Sequence, residues 1–214
     1  VDGLTLVIAT RNAGKIKEIK ALLADLGVRV LSLADFPEMP EVVEDGVTFL
    51  DNARKKAREV AAVTGLPALA DDSGLEVAAL GGGPGVYSAR YAADRTAPHS
   101  PSDRDNYLKL LEELAGVPVD QRQARFVCEL VLAWPEGLEL RARGTWEGAI
   151  APEPRGAEGF GYDPVFWLPE YGKTVAEAGI TVKNRHSHRA RALQDLKVQL
   201  RAWLEAKADP DARA

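Results

Sequence analysis

The 214-residue chain has one cysteine, Cys128, which excludes an intramolecular disulfide framework and suits a reducing compartment. No apolar run is long enough for a membrane helix, and the first residues lack the charged-then-apolar order of an export signal. A cytoplasmic protein is therefore expected. Basic residues are not in excess. The 27 Lys and Arg face 32 Asp and Glu, and a net charge of -5 argues against a nucleic-acid-coating protein. An anionic substrate would need a local basic pocket. A nucleophile beside a base is also missing, because Cys128 lies within "ARFVCELVLAW", a strand-like run where a thiol is expected to be buried and inert. The chain carries no repeat and no low-complexity linker, and its length can bury a core as one large domain or two closely joined lobes.

What is present alternates between strand and helix patterns. "LTLVIAT" (4–10) reads as a strand, "RNAGK" as a turn, and Ile16, Ile19, Leu22, Leu23 and Leu26 recur at helical spacing before Gly27. A second strand begins at "VRVLSLADF". Residues 48–64 form a helix started by Thr48 and stopped at Gly65, with Phe49, Leu50, Ala53, Ala57 and Val60 as its buried stripe. "PALADDSGLEVAAL" reads as a strand that breaks at an acidic turn and resumes, and 81–92 as a glycine-rich loop. Ser102 caps a helix bearing Leu108, Leu111 and Leu114. Residues 124–134 and "LELRARGTWEGAI" pair through Pro135-Glu136-Gly137, and Ser187 caps a last helix. The fold class is mixed α/β.

Charge is unevenly spread. Residues 30–53 hold Asp35, Glu38, Glu41, Glu44, Asp45 and Asp51 without a Lys or Arg, whereas 178–194 hold Lys183, Arg185, Arg189, Arg191, His186 and His188 without an acid. The acidic run also fits a solvated loop leading into a helix N-terminus, where acids are favoured. Asp71 and Asp72 stand side by side after "ALA"; a turn is one reading, and a hard divalent cation the other. On a strand the two would point to opposite faces, so one of them would reach a given site. Basic residues at a helix start make sense if an anion visits. The two histidines, two positions apart, do not share a helical face, which argues against a histidine metal site. "GFGYDP" (159–164) could stack a purine on Phe160 or Tyr162 while Asp163 or a backbone group reads its edge. "ATRNAGK" looks like a phosphate loop but fails the Walker pattern, with Ala9 at the first glycine position and Ile16 after Lys15.

Taken in order, "ATRNAGK", "FLDNARKKA", "ALADDSGLEV", "GGGPGVYSARY", "GFGYDPVF" and "KNRHSHRARAL" resemble the inosine triphosphate pyrophosphatase family almost end to end. The resemblance implies an elongated mixed sheet with flanking helices, split into two lobes around a cleft. It places one domain of two lobes over 1–207, and the polar end of the chain, 208–214, reads as a frayed tail. It implies Mg²⁺-dependent hydrolysis of ITP, dITP and XTP to the monophosphate and pyrophosphate, by a homodimer. By position, Thr10, Asn12 and Lys15 would hold phosphates. Glu44 and Asp72 would serve the metal, with Asp72 also the general base and Ser73 touching substrate. Phe160, Gly161, Tyr162, Asp163, Lys183, His188 and Arg189 would complete the base and phosphate contacts. The rival readings are a pyrophosphatase of similar fold acting on pyrimidine or modified triphosphates, and a non-catalytic nucleotide sensor.

Overall fold

Strand β1 (Thr5–Ile8) leads through a tight turn into helix α1 (Ala13–Leu23), and the chain returns as β2 (Arg29–Ser32). Asn12 starts α1 from an extended backbone, its side-chain oxygen accepting the Lys15 amide at 3.1 Å. These strands pair in parallel from Thr5↔Arg29 to Ile8↔Ser32. Helix α2 (Phe49–Thr64) is capped by Thr48 and closed by Gly65 at φ 67°, a left-handed position that glycine fills without strain. The chain continues as β3 (Ala68–Val77), α3 (Ala93–Thr96), α4 (Asp103–Glu113), β4 (Gln123–Ala133), β5 (Glu139–Ile150), β6 (Phe166–Leu168), β7 (Lys173–Thr174), α5 (Val175–His186) and α6 (His188–Ala208). This computed structural model describes residues 4–208, so 209–214 of the expected tail lie outside it.

The seven strands are ordered β2-β1-β3-β4-β5-β6-β7. Pairing is parallel at β1–β2 and β1–β3 and antiparallel at β5–β6 and β6–β7. The sheet is mixed and flanked by helices, in agreement with the expected class. The chain divides into two compact units. Unit 1 is Val1–Asp72, Cys128–Gly144 and Ala190–Ala214; unit 2 is Ser73–Val127 and Thr145–Arg189.

Side-chain alternation organises unit 1. Leu6, Ile8, Leu69, Cys128, Leu130 and Leu132 share one buried cluster with Ile19 and Leu23 of α1 and Leu193, Leu196 and Leu200 of α6. The intervening residues Val7, Ala68, Ala70, Val131 and Ala133 share another with Ala53, Ala57 and Val60 of α2. Parity therefore sends Asp71 towards the α1 and α6 face and Asp72 towards α2. Unit 2 packs Leu110 of α4, Leu114 just after it and Val175 of α5 against Leu75, Phe126, Trp146 and Phe166.

Three expectations change. Strand β3 runs unbroken through Asp71 and Asp72, with no acidic turn. Residues 81–92 include a 3-10 helix, Gly85–Arg90, within the expected loop. The basic segment does not simply open a helix: Lys183, Arg185 and His186 end α5, Ser187 is extended, and His188 begins α6. Cations at the end of α5 complement its dipole.

Helix α5 starts with a capping box. Thr174 accepts the Glu177 amide, Glu177 accepts the Thr174 amide, and the Thr174 hydroxyl donates to Arg155 O at 2.8 Å. Thr174 is fully buried, so Thr174→Val keeps its shape and removes both hydroxyl bonds. We expect a loss of about 1–2 kcal/mol, read by urea unfolding. An unchanged midpoint would show that the cap contributes nothing.

Candidate active site

A parallel strand that outlasts its neighbour leaves backbone carbonyls without a ladder partner. The carbonyl of Pro67, just before β3, accepts Val7 N at 2.9 Å, and that of Leu69 on β3 accepts Ala9 N at 2.8 Å. The next carbonyl on that side belongs to Asp71, beyond the last residue of β1. Two ammonium groups meet it, Lys56 Nζ at 2.9 Å and Lys15 Nζ at 3.4 Å. The end of β1 is thus where side chains replace the ladder.

Around that point unit 1 gathers Thr10, Asn12, Lys15, Glu44 and Asp72. The Thr10 hydroxyl accepts the Asn12 amide at 3.2 Å, shaping the turn into α1. Because Asn12 spends its carbonyl oxygen on the cap, its NH₂ is the group left to meet an anion at this helix start. Lys15 Nζ lies 2.5 Å from Asp71 Oδ1. Lys56 Nζ bridges the proposed metal carboxylates, 2.8 Å from Glu44 and 3.5 Å from Asp72. Asn52 holds the same assembly from below, donating to Asp72 Oδ2 at 3.1 Å and accepting Gly46 N at 2.8 Å. A Cβ on Gly46 would come within 2.7 Å of that Asn52 oxygen, so the approach of the 44–46 loop requires glycine. A cavity of about 110 Å³ opens here, lined in part by Thr10, Arg11, Glu44 and Lys56.

Burial pushes the Asp72 carboxyl above its ordinary 3.8, against the pull of Lys56 and then Lys15; Glu44 adds to the rise, and the Asn52 bond opposes it. Burial alone would lower the Lys56 ammonium, but Asp72 and Glu44 outweigh it and the net shift from 10.5 is upward. Asp72 is therefore a carboxylate kept unusually basic, with a cation beside it.

Asn52 and Lys56 were not among the expected site residues. A readable signal existed: both fall on the i, i+3, i+4, i+7 stripe of α2 with Phe49, Ala53, Ala57 and Val60, a face where a charge has no place without partners.

Unit 2 brings the remaining residues together. Asp163 Oδ2 accepts Phe160 N at 3.0 Å and Lys183 Nζ at 2.6 Å, in an ion pair almost wholly buried. Lys183 Nζ also stands 3.9 Å from the Phe160 ring centroid, with the Arg189 guanidinium carbon at 5.8 Å. Gly159, at φ 86°, has no room for a Cβ, which would fall 2.1 Å from Asp163 Oδ2. Gly161 N donates to Asp103 at 2.7 Å, which fixes the loop to the start of α4. Arg189 donates to the Ser73 hydroxyl at 3.4 Å, and His188 stacks on Phe126 with centroids 4.8 Å apart. Tyr162 sits in the core with its hydroxyl donating to Ser88 O, and burial raises its pKa. Of the two rings expected to stack a base, Phe160 is partly exposed and Tyr162 is buried.

A metal fits the donor set of unit 1. Glu44 and Asp72 present two carboxylates to one shared ammonium, that of Lys56, and Mg²⁺ commonly takes one or two carboxylates and completes its shell with water and substrate phosphate. Among the described residues no cluster of three or more Asp, Glu, His or Cys could cage an ion by itself. No described helix is long and apolar enough to cross a membrane.

A model of the Ham1 family matches residues 6–199. A dITP/XTP pyrophosphatase of Thermus thermophilus is 52% identical over 208 residues, 97% of this chain and 93% of that protein. A protein of the same name from Geobacter sulfurreducens is 53% identical over 195 residues, 91% of this chain and 96% of its own. The solved structure of a HAM1 protein from Coxiella burnetii is 42% identical with a TM-score of 0.83, covering 93% of this chain and 99% of that one.

Proposed function

The chain belongs to the Ham1 family, and from that premise we propose that it hydrolyses the non-standard purine triphosphates dITP, XTP and ITP to the monophosphate and pyrophosphate. The observation that carries this reading furthest is the Glu44–Lys56–Asp72 assembly at the end of β1, beside the start of α1. It offers carboxylates for a cation and ammonium groups for phosphates within one unit.

By position in the family, we assign phosphate contacts to Thr10, Asn12 and Lys15, a substrate contact to Ser73, and the remaining base and phosphate contacts to Lys183, His188 and Arg189. Glu44 and Asp72 are the residues that would hold Mg²⁺. When bound, the cation offsets charge on the phosphate oxygens and on the departing pyrophosphate. Asp72, made basic by burial, takes a proton from the water that attacks the α-phosphorus. A water oxygen–phosphorus bond forms, the bond to the bridging α,β oxygen breaks, and pyrophosphate leaves with that electron pair. Most of the acceleration is positioning and electrostatics. Within the 160–163 run, the ring of Phe160 is assigned to the base, while Tyr162 and Asp163 hold the run in shape. A site built to hydrogen-bond one exocyclic group can reject an analogue lacking it by about 10⁴ or more. Cytoplasmic location and a homodimer belong to the same reading.

A turnover panel tests it: dITP, XTP, dATP, dGTP and dTTP, with Mg²⁺ and with EDTA, assayed separately for pyrophosphate and orthophosphate. Pyrophosphate from dITP and XTP, lost in EDTA, is the expected result. Preference for dTTP would move the chain to the pyrimidine class, binding without turnover would make it a sensor, and orthophosphate as first product would refute attack at the α-phosphorus. Lys15→Ala should lower kcat/KM for dITP about 10- to 100-fold, mostly through KM, since it removes one charge-assisted phosphate contact. Unchanged kinetics would place Lys15 outside the site.

A further inference from the structure

We propose that Asp71 and Cys128 form a buried positioning pair that aims the Lys15 ammonium, an inference that rests on assigning Lys15 to the phosphates. Asp71 points to the face of β3 opposite Asp72, so it cannot join the carboxylate pair offered to the metal. Its side chain is fully buried and its Oδ1 lies 2.5 Å from Lys15 Nζ. A buried carboxylate is tolerated only when its oxygens are satisfied. The other oxygen, Oδ2, accepts the Cys128 thiol at 3.2 Å, and Cys128 is itself fully buried in β4. The thiol cannot act as a surface nucleophile, but it can fix the rotation of the carboxylate.

The ammonium arithmetic completes the argument. A lysine has three N–H donors on a flexible stem. Asp71 meets this ammonium twice, by the ion pair at Oδ1 and by a hydrogen bond to its backbone carbonyl at 3.4 Å. Both contacts belong to one residue of a central strand, so the ammonium is held in one place. An ammonium held in this way approaches a phosphate oxygen without first being ordered. Cys128 acts through Asp71, and Asp71 through Lys15; neither touches substrate.

The test is a double-mutant cycle with dITP and Mg²⁺. Asp71→Asn keeps the shape and should raise KM about tenfold with a much smaller change in kcat. The Lys15→Ala, Asp71→Asn double variant should be little worse than Lys15→Ala alone, because the ion pair that the second change weakens is already gone. Cys128→Ala should raise KM in the same direction, and Cys128→Ser, which restores a hydroxyl donor, should recover most of it. This pair decides the matter if Asp71→Asn does not fold. Wild-type KM in Asp71→Asn or Cys128→Ala, or losses that add in the double variant, would overturn the positioning role while leaving Lys15 in place. Should Lys15→Ala itself leave kcat and KM unchanged, the assignment of Lys15 and the positioning pair fall together.

Discussion

Replacing Asp72 with Asn is expected to lower kcat for dITP about 10³-fold or more while the melting temperature stays the same or rises. The first half follows from the assigned roles, since the amide can neither accept the proton of the attacking water nor hold a divalent cation well. The second half follows from the sign of the pKa shift. Burial holds the Asp72 carboxyl above 3.8, so the ionised form is worse solvated in the fold than in the open chain. A raised carboxylate binds more protons folded than unfolded, so folding stability from this group falls as pH rises above 3.8 and stays reduced at neutral pH. Removing the charge relieves that cost. The amide oxygen can still accept from Asn52, and Lys56 retains Glu44 and the Asp71 carbonyl. Thermal unfolding in EDTA beside steady-state kinetics checks both halves. A variant that melts well below the wild type would mean Asp72 is a structural ion-pair partner, and near-wild-type turnover would remove it from the mechanism.

Lys56→Met should have the opposite signature. It removes the shared cation from Glu44 and Asp72 and a donor from the Asp71 carbonyl. Breaking a buried pair by deleting one partner costs about 3 kcal/mol at the lower end of its usual range, the choice here because Glu44 is partly solvated. For a chain of this length that is a fall of about 6–12 °C in Tm. The Lys56 ammonium titrates above its ordinary 10.5, so its contribution is fully present below pH 10.5 and is lost as pH rises through the folded value. The gap between wild type and variant should therefore be flat across neutral pH and close only in strong alkali. Added Mg²⁺ should restore part of the lost Tm, because a divalent cation can neutralise the two carboxylates that Lys56 left behind. If the variant is as stable as the wild type in EDTA, the carboxylates do not depend on Lys56. If Mg²⁺ leaves its Tm unchanged, they do not form a cation site.

Local pattern is enough for much of unit 1. The apolar alternation of β1, the cap at Thr48 and the left-handed Gly65 are short-range physics, visible within a few residues. Strand β3 is misread at Asp71 and Asp72 because paired acids in a short window look like a turn. What makes them acceptable in a strand comes from far along the chain: Lys15, Asn52, Lys56 and Cys128. Helix α5 escapes notice because Gly179, at φ 83° and ψ 171°, interrupts its period, although Thr174 and Glu177 already spell the capping box at its start. For the candidate site, sequence position alone supplies names. The exchange of partners among Asp71, Asp72 and two lysines depends on strand parity and on where β1 ends.

That ending has a consequence for how the protein could be altered. Backbone amides and lysine ammoniums compete for the same oxygen of Asp71, and the winner is decided by the length of the neighbouring strand. A loop change at residues 10–12 that let β1 continue two residues further would bring an amide to that oxygen and displace both lysines. Such a variant would keep its core and even gain a rung of sheet. It would be a sturdier scaffold whose two lysines had lost the acceptor they share. Neutral drift in this turn is therefore constrained by geometry before any side chain changes, and libraries that diversify it should hold its length fixed.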